Sequence, residues 1–267
     1  MTETTETFQI SPEMAEAYES WFVPRLFGEW AGRLVDAAGL SPGDRVLDVA
    51  CGTGAVARAA ARRTGDPGSV VGLDMNEAML EVARRVAPEI EWRQGDAGDL
   101  PFADDAFDTV LCQAALMFFP EPGAALREMA RVAKPGGTVT VQVWDRLEDQ
   151  PAYRPFIEVL GGLTGPDAVS LVSAYFVRGD LTELRGSMET AGLEVVETRT
   201  ETSTMAFGSV DELVTVEVLS TPLGERLAED VVGRIVADTR ETLASFVTGD
   251  GGLGVPIGGH IVVARPS

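Results

Sequence analysis

Short apolar runs alternate with helical segments between residues 43 and 145. The apolar runs predict strands over 45–50, 69–74, 90–94, 107–113 and 138–144, the last entered through a turn at 134–137. An alanine-rich segment from about Thr53 and a segment capped by Asn76 predict the helices that follow the first two strands. This alternation indicates βαβ units with right-handed crossovers, and therefore a parallel sheet covered by helices on both faces.

Two further helices are predicted before the first strand, and the second of them follows Pro24. Their apolar residues recur at helical spacing: Met14, Tyr18, Trp21 and Phe22 in the first, and Phe27, Trp30, Leu34 and Ala38 in the second. After residue 145 the alternation weakens. Residues 151–190 and 209–248 are predicted to be mostly helical, with strands within 192–203 and over 259–264. Two helical insertions around the final strands suggest a cap over the carboxyl edge of the sheet.

Composition and charge narrow the classes of function. The chain has 267 residues, of which 45% are hydrophobic and 24% are charged, as in an ordinary globular protein. Its net charge of −21 at pH 7 repels phosphate backbones, so we expect no nucleic acid partner. With only Cys51, Cys112 and one histidine, neither a disulfide framework nor a metal site is expected. We find no secretory leader and no apolar membrane span, and we expect a cytoplasmic protein.

The clearest candidate for chemistry is the segment from Asp48 to Gly54, which follows the first predicted strand. Its glycines let the backbone approach a ligand closely, and the next helix directs amide hydrogens at the same place. Asp74, at the end of the second strand, has a carboxylate that can accept hydrogen bonds from both hydroxyls of a ribose. Methyltransferases and NAD-dependent oxidoreductases both use these two devices. The spacing of Gly52 and Gly54 also fits a dinucleotide fingerprint, so these residues alone do not distinguish the two classes.

A third element distinguishes between these alternatives. Gly95-Asp96-Ala97 follows the third predicted strand, where the edge of an adenine would lie beside a ribose bound at Asp74. The Asp96 carboxylate can accept from the exocyclic amine, and the Ala97 amide can donate to a ring nitrogen. As isolated residues these would be ordinary loop acids, but in this order and spacing they are a much more specific signal.

Taken together, the motifs between Val46 and Trp144 resemble those of the class I S-adenosylmethionine-dependent methyltransferases, particularly the small-molecule enzymes of ubiquinone and menaquinone biosynthesis. The resemblance rests on Val46–Gly54, Gly72–Asn76, Gly95–Ala97 with Leu100–Phe102, Phe107-Asp108, Arg127–Met129 and Lys134–Gly137. It covers about 100 of the 267 residues, and it implies a Rossmann-like, doubly wound α/β fold. In that fold the sheet has seven strands, mostly parallel, and the antiparallel last strand is inserted beside the fifth.

The resemblance also implies roles for individual residues. Asp48, Ala50, Gly52 and Gly54 would hold the methionine part of S-adenosylmethionine, Asp74 the ribose, Met75 the adenine face, and Asp96 and Ala97 the adenine edge. Gln113 would contact the methionine part, and Tyr18 would close over the cofactor. At position 50 many relatives carry glycine instead of alanine. The implied organisation is an N-terminal helical segment over the cofactor site (1–40), a cofactor-binding core (41–147), and remaining core strands with helical cap insertions (148–267, the insertions at about 151–190 and 205–250).

The expected reaction is methyl transfer to a small organic metabolite by in-line displacement, with S-adenosylhomocysteine as product. The family sometimes uses the cofactor without transferring its methyl group, in cyclisation or rearrangement, so this alternative stays open beside an NAD-dependent oxidoreductase and a cofactor-sensing binding module. The acceptor pocket is expected near Met117 and Phe118, with Tyr175 and Phe207 from the insertions. The sequence indicates no catalytic base, no type of acceptor atom and no oligomeric state.

Overall fold

Seven strands form one sheet in the computed structural model, which describes residues 10–219 and 223–267. The strands are β1 (Val46–Val49), β2 (Val70–Asp74), β3 (Glu91–Gln94), β4 (Phe107–Gln113), β5 (Ala133–Trp144), β6 (Leu193–Phe207) and β7 (Leu253–Pro266). Their spatial order is β3-β2-β1-β4-β5-β7-β6. The order reverses direction between β1 and β4, so the carboxyl ends of these two strands flank the crevice in which open α/β sheets bind ligands.

Strands β1 to β5 pair in parallel, whereas the last strand runs the other way. Parallel registers join β3 to β2, β2 to β1, β1 to β4 and β4 to β5. Asp145 N, just after β5, donates to Gly258 O near the start of β7, and Ser267 N, at the far end of β7, donates to Gly192 O just before β6. Strand β7 is therefore antiparallel to both neighbours and inserted beside the fifth strand. The predicted fold class is confirmed.

The helices are bounded by local capping signals. Asn76 Oδ1 accepts from Met79 N at 3.2 Å, which confirms Asn76 as a helix cap, and Ser11 Oγ accepts from Met14 N in the same way. Gly65 ends a helix with φ +77°. The helices are α1 (Pro12–Ala17), α2 (Gly28–Ala38), α3 (Ala55–Thr64), α4 (Glu77–Val86), α5 (Pro122–Val132), α6 (Tyr153–Thr164), α7 (Pro166–Ser173), α8 (Leu181–Thr190), α9 (Val210–Val214) and α10 (Glu229–Thr242).

The N-terminal helices depart from the sequence prediction. The prediction of two helices with a break at Pro24 is wrong, because α1 and α2 are joined without interruption by a π-helical segment, Tyr18–Phe27, that contains Pro24. A π-helix is wider than an α-helix, so it can accommodate the proline ring, which would clash with the preceding turn of an α-helix. Met14, predicted to lie on the apolar face, is 45% exposed.

The start of β5 also differs from the prediction. The segment 134–137, predicted to be a turn before the strand, belongs to β5 as an irregular stretch. Ala133 already pairs with Phe107, and the register then shifts before Thr138 pairs with Thr109. Gly136 has φ +82° in this bulge, a conformation that glycine adopts without strain.

The chain divides into two units, which we describe separately. Among the described residues, the first comprises 10–143, Leu181–Arg199 and His260–Ser267. On one face of its sheet, residues of β1, β4 and β5 pack in a core with residues of α5 and α8: Leu47, Val49, Val110, Cys112, Val139, Val141, Val143, Leu126, Met129, Leu184 and Met188. The residues between them point to the other face, where α2 packs on β4 and α3 on β1.

The second unit comprises Trp144–Asp180 and Thr200–Gly259. In it α6 packs against α7 and α10, and α10 against α9, around buried Phe156, Leu160 and Ile235. None of the helices in the described ranges is long and apolar enough to cross a lipid bilayer.

Candidate functional site

The loop after β1 has an unusual backbone. Ala50, Gly52 and Gly54 have φ of +56°, +54° and +87°, all in the left-handed region. Helix α3 begins directly afterwards, and its first turn is held from below because Asp48 Oδ2 accepts from Ala57 N at 2.9 Å. Asp48 is 1% exposed, so a buried strand residue caps this helix. Strand, loop and helix are thus connected by hydrogen bonds at the carboxyl edge of the sheet.

Asp74 joins this loop to the end of β2. Its Oδ2 accepts from Gly52 N and its Oδ1 from Asn76 N, both at 2.8 Å. Each carboxylate oxygen has two acceptor positions, so each keeps one for a ligand hydroxyl. Burial raises the pKa of Asp74, and the amides of Asn76 and Gly52 partly offset that effect. The position and free acceptor capacity of Asp74 suit the two hydroxyls of a ribose.

Two acids, Asp48 and Asp74, are buried near one another at the site. The pKa of Asp48 is raised to about 8, mainly by burial and also by the nearby charge of Asp74, while the Ala57 amide and the charge of Arg58 oppose the rise. Two carboxylates in one buried place are costly unless a cation or a proton compensates them. This electrostatic arrangement favours a ligand that brings positive charge.

The ring of Trp92, on β3, packs against Gly54 of the glycine loop and against Gly72 of β2. A Cβ atom on Gly54 would lie 2.9 Å from Cζ3 of the Trp92 ring and closer still to Cη2, and a Cβ on Gly72 would overlap the same ring. Trp92 Nε1 donates to Ala87 O at 2.9 Å, which fixes the ring orientation. The sequence analysis missed this residue. The parallel register places Trp92 beside Gly72, and the same ring also lies against Gly54, so Trp92 explains why both residues are glycine.

The π-helical segment lies against the other side of the loop. Tyr18 stacks on Phe27 at 4.9 Å between ring centroids, and its Cε1 lies 3.8 Å from where a Cβ on Gly52 would be. Burial raises the pKa of Tyr18, with the charges of Asp74 and Asp48 adding to the rise. The structure therefore brings Tyr18 next to the predicted cofactor loop.

Glu19, the next residue, makes a connection that sequence reasoning also missed. Its carboxylate accepts from Thr53 Oγ1 at 2.6 Å and from Arg58 at 3.0 and 3.2 Å. Arg58 in turn donates to Thr53 O at 2.9 Å. We call these three residues the Glu19 latch. They join the N-terminal helical run to the glycine loop and the start of α3 through partly buried charged groups.

The residues predicted to contact adenine follow β2 and β3, which are adjacent. Met75 is 53% exposed, unusually so for a large apolar residue beside a buried carboxylate, and its carbonyl accepts from Gln94 Nε2 at 3.1 Å. Asp96 Oδ1 accepts from Gly98 N at 2.8 Å, which orders the loop, and Ala97 is 8% exposed. The exposed Met75 side chain is available to a flat ring.

The predicted residues after β4 also belong to the first unit. Gln113 Nε2 donates to Phe27 O at 3.1 Å, so this amide contacts the N-terminal helical run. Met117 is partly buried and Phe118 is 40% exposed, both in a 3₁₀ turn, Leu116–Phe118. Of the predicted acceptor residues, these two lie in the unit that carries the glycine loop.

Tyr175 and Phe207, the other predicted acceptor residues, belong to the second unit. Phe207 is 3% exposed, and Tyr175 meets Phe176 edge to face at 6.5 Å. The same unit contains a buried acid that the sequence analysis did not single out. Glu217 is 8% exposed and accepts from Tyr153 Oη at 2.9 Å.

Burial raises the pKa of Glu217 to about 7, although the Tyr153 hydroxyl opposes the rise. Within the described ranges no lysine or arginine pairs with this carboxylate. The same ranges contain no group of histidine, cysteine, aspartate and glutamate residues that could hold a metal ion.

Comparisons with known proteins agree with this geometry. A family described as a methyltransferase domain matches residues 47–141. The demethylmenaquinone methyltransferase of Renibacterium salmoninarum is 44% identical over 128 residues, which cover 48% of this chain and 51% of the relative. The ubiquinone/menaquinone biosynthesis C-methyltransferase UbiE of Teredinibacter turnerae is 34% identical over 179 residues, covering 61% of this chain and 72% of the relative. The chain thus spans about half the length of the first relative and nearly three quarters of the second.

A solved structure shows the same fold at low identity. The phosphoethanolamine N-methyltransferase 2 of Haemonchus contortus, in complex with phosphomonomethylethanolamine and S-adenosylhomocysteine, superposes with a TM-score of 0.60. The two are 17% identical, and the match covers 96% of this chain and 58% of that one. The strand order, the loop after β1 and the acid after β2 are all consistent with these relatives. Because the chain is 34% identical to the UbiE relative and covers 72% of it, the chain belongs to the class I S-adenosylmethionine-dependent methyltransferases of the ubiquinone and menaquinone biosynthesis type.

Proposed function

We propose that this chain transfers a methyl group from S-adenosylmethionine to a small organic acceptor. The observation that carries the proposal is Asp74, a buried carboxylate whose two oxygens each hold one backbone amide and keep one acceptor position. A ribose bound there has its adenine beside the exposed Met75 side chain and its methionine part beside the glycine loop.

The charges of the site fit this cofactor. S-adenosylmethionine carries an ammonium and a sulfonium cation, and the buried Asp48 and Asp74 carboxylates lower the cost of burying them. An NAD-dependent reaction is less well supported, since the pyrophosphate of a dinucleotide would bring two negative charges to the same place. The cofactor, once bound, supplies an electrophilic methyl group with a good leaving group.

The chain's own contribution is then positioning and exclusion of water. The left-handed loop at Gly52 and Gly54 lets the backbone approach the methionine part, and Asp74 orients the ribose. Tyr18, held against the loop by Phe27, covers the site from the side of the N-terminal helices. Excluding water strengthens the electrostatic contacts and protects the methyl group from solvent.

The acceptor is proposed to be an aromatic or quinone-like metabolite. The relatives with the matched motifs are named for quinone methylation, one of them as a C-methyltransferase. Apolar Met117 and Phe118 after β4, with Tyr175 and Phe207 in the helical insertions, are our proposed acceptor residues. The insertions at about 151–190 and 205–250 are proposed to form the cap. A cytoplasmic location is proposed on the free thiols of Cys51 and Cys112. The absence of a nucleic acid partner is proposed on the net charge of −21.

The test is calorimetric titration of the chain with S-adenosylmethionine and S-adenosylhomocysteine, repeated with Asp74→Ala. We expect both ligands to bind the wild type, and the substitution to weaken binding at least about tenfold through loss of the ribose contacts. Asp104→Ala, at an exposed acid that pairs with Arg131, is the matched control and should bind normally. Absence of binding by the wild type, or equal affinity of Asp74→Ala, would refute the cofactor assignment.

Methyl transfer itself needs a second measurement. Incubation with methyl-labelled S-adenosylmethionine and a panel of quinols, phenols and amines should place the label in an organic product and release S-adenosylhomocysteine. Tight cofactor binding combined with a changed acceptor that carries no label would instead identify a cyclisation or rearrangement.

A further inference from the structure

Strands β4 and β5 carry a row of polar residues on one face. The parallel register pairs Thr109 with Thr138, Leu111 with Thr140, and Gln113 with Gln142. Alternate residues point to opposite faces of a strand, and the residues between these, such as Val110 and Val141, pack in the apolar core. At the start of the row the Thr109 and Thr138 hydroxyls are hydrogen-bonded to each other at 3.2 Å across the two strands.

The amides of Gln113 and Gln142 lie at the carboxyl end of this row, two residues beyond the level of Asp48. Asp48 pairs with Leu111, and Gln113 follows Leu111 by two positions. Each residue of a strand advances the chain by about 3.3 Å, so the amide pair lies some 6–7 Å closer to the edge where ligands bind. The pair therefore lies at the border of the expected methionine subsite, which Gln113 is predicted to contact.

Several polar atoms of this row are buried without partners. Gln142 is 0% exposed, and neither its Nε2 nor its Oε1 has a hydrogen-bond partner in the described part of the chain. Gln113 Oε1 and Thr140 Oγ1 also lack partners, although Gln113 Nε2 is bonded to Phe27 O. A buried polar group without a partner costs free energy, so such groups are normally satisfied by protein, water or ligand. Four unpartnered atoms on three neighbouring residues indicate a binding site for a polar group of a ligand.

The donor and acceptor types of the unpartnered amide atoms indicate which ligand group can bond to them. Gln142 Nε2 can donate, whereas Gln142 Oε1 and Gln113 Oε1 can only accept. A hydroxyl group satisfies this set, because it donates to one amide oxygen and accepts from Nε2. An anionic group is disfavoured, since the amides are neutral and the nearby carboxylates of Asp48 and Asp74 repel an anion.

We propose that Gln113 and Gln142 form an amide pair that binds a neutral hydroxyl group of the methyl acceptor, as in a quinol or a phenol. This inference rests on the proposed methyltransferase function and names the substrate group that this part of the site selects. Gln142 is its specificity-determining residue, because Gln113 also contacts the N-terminal helical run.

The experiment measures binding to the chain loaded with S-adenosylhomocysteine, under anaerobic conditions that keep quinols reduced. The probe is 1,4-dihydroxynaphthalene, and 1,4-dimethoxynaphthalene is the same ring without hydroxyl hydrogens. The variants are Gln142→Leu and, as matched control, Thr239→Val, which removes another buried and unpartnered polar atom in the second unit. Gln142→Met is used if Gln142→Leu does not fold.

We expect the wild type and Thr239→Val to bind the dihydroxy probe at least about tenfold more tightly than the dimethoxy probe. The Gln142 variant should lose this preference while keeping its affinity for S-adenosylhomocysteine within about twofold. Equal binding of the two probes, or an unchanged preference in the variant, would show that the amides hold only a structural water. No binding of the dihydroxy probe to the loaded wild type also overturns the inference. Failure of the wild type to bind S-adenosylhomocysteine, measured first, counts against the proposed function instead.

Discussion

Asp74 Oδ2 accepts a hydrogen bond from Gly52 N at 2.8 Å, which makes the acid after β2 and the loop after β1 a single structural unit. The same carboxylate that is proposed to hold a ribose therefore also sets the position of the loop. Changes in the loop should consequently affect both the stability of the fold and the binding of the cofactor.

Gly54→Ala should destabilise the chain strongly. Its φ of +87° costs an alanine about 1 kcal/mol, and the added Cβ meets the Trp92 ring, which adds about 1–3 kcal/mol. Gly65→Ala is the matched control, since Gly65 has φ +77° but no atom within 4 Å of its added Cβ. Urea unfolding should show a loss of about 1 kcal/mol for the control and at least twice that for Gly54→Ala. Equal losses would mean that the Trp92 contact is unimportant.

Ala50→Gly should stabilise the fold or leave it unchanged. Ala50 has φ +56°, and glycine relieves about 1 kcal/mol of strain there, partly offset by the greater freedom of glycine in the unfolded chain. Ala130→Gly, in the interior of α5, is the control and should lose about 1 kcal/mol. The measurement is the free energy of unfolding in urea. A loss at position 50 as large as that at position 130 would contradict strain at Ala50.

Glu19→Ala should weaken cofactor binding by breaking the Glu19 latch. The substitution leaves Arg58 and Thr53 without their shared acceptor, in partly buried surroundings where such a contact contributes about 1–3 kcal/mol. Glu29→Ala is the control, because Glu29 pairs with Arg33 on an exposed helix face and contributes less than about 0.5 kcal/mol. Calorimetry with S-adenosylhomocysteine and limited proteolysis of the N-terminal helices would measure both effects. Identical results for the two variants would exclude a role for the latch.

Cofactor binding should release protons at neutral pH because of Asp48. Its pKa is raised to about 8 in the free chain, and a cationic ligand favours the ionised carboxylate and lowers that pKa. Affinity should therefore rise with pH up to about 8 and level off above it. Calorimetry in buffers of different ionisation enthalpy measures the protons released. Asp48→Asn, measured in parallel to account for the ligand's own amino group, should release fewer, and equal release would refute the assignment.

Glu217 should make stability depend on pH in the opposite sense to an ordinary paired carboxylate. Its pKa is raised from 4.5 to about 7, so the folded chain holds a proton that the unfolded chain has lost. The neutral form stabilises the fold fully below about pH 4.5, and this contribution, about 3 kcal/mol, is lost as pH rises through about 7.

Glu217→Gln removes the titrating group while keeping an oxygen for the Tyr153 hydroxyl to bond. We expect the variant to gain stability relative to the wild type as pH rises between about 4.5 and 8. Urea unfolding at several pH values measures this difference, and the exposed Glu229→Gln supplies the baseline. A difference between variant and wild type that does not change with pH would contradict the raised pKa.

Much of the fold and of the cofactor site could be predicted because their signals are local in the sequence. The apolar runs of β1, β2 and β4 have the right length, β1 and β2 have glycines close by, and Asn76 caps a helix through a hydrogen bond three residues away. Asp74 follows from its place after a strand, and the glycine loop from its spacing. Each of these features depends on neighbours in the chain, and the order of the motifs then indicates one family.

The tertiary structure decided the features that depend on residues distant in the sequence. Trp92 explains why Gly54 and Gly72 must lack side chains, but only strand pairing brings the three together. In the Glu19 latch, Glu19 bonds to Thr53, which is 34 residues away in the sequence, and to Arg58, which is 39 residues away. The continuous helix through Pro24 packs on the glycine loop.

The same holds for the buried polar groups. Gln142 is one polar residue in an apolar strand until the register sets it beside Gln113. Glu217 becomes unusual only when folding buries it against Tyr153. Hydrophobic periodicity and turn chemistry are properties of short segments, so the sheet and the cofactor loop could be predicted from the chain alone. Burial and hydrogen-bond satisfaction depend on the packed neighbours of each atom, and these only the folded chain supplies.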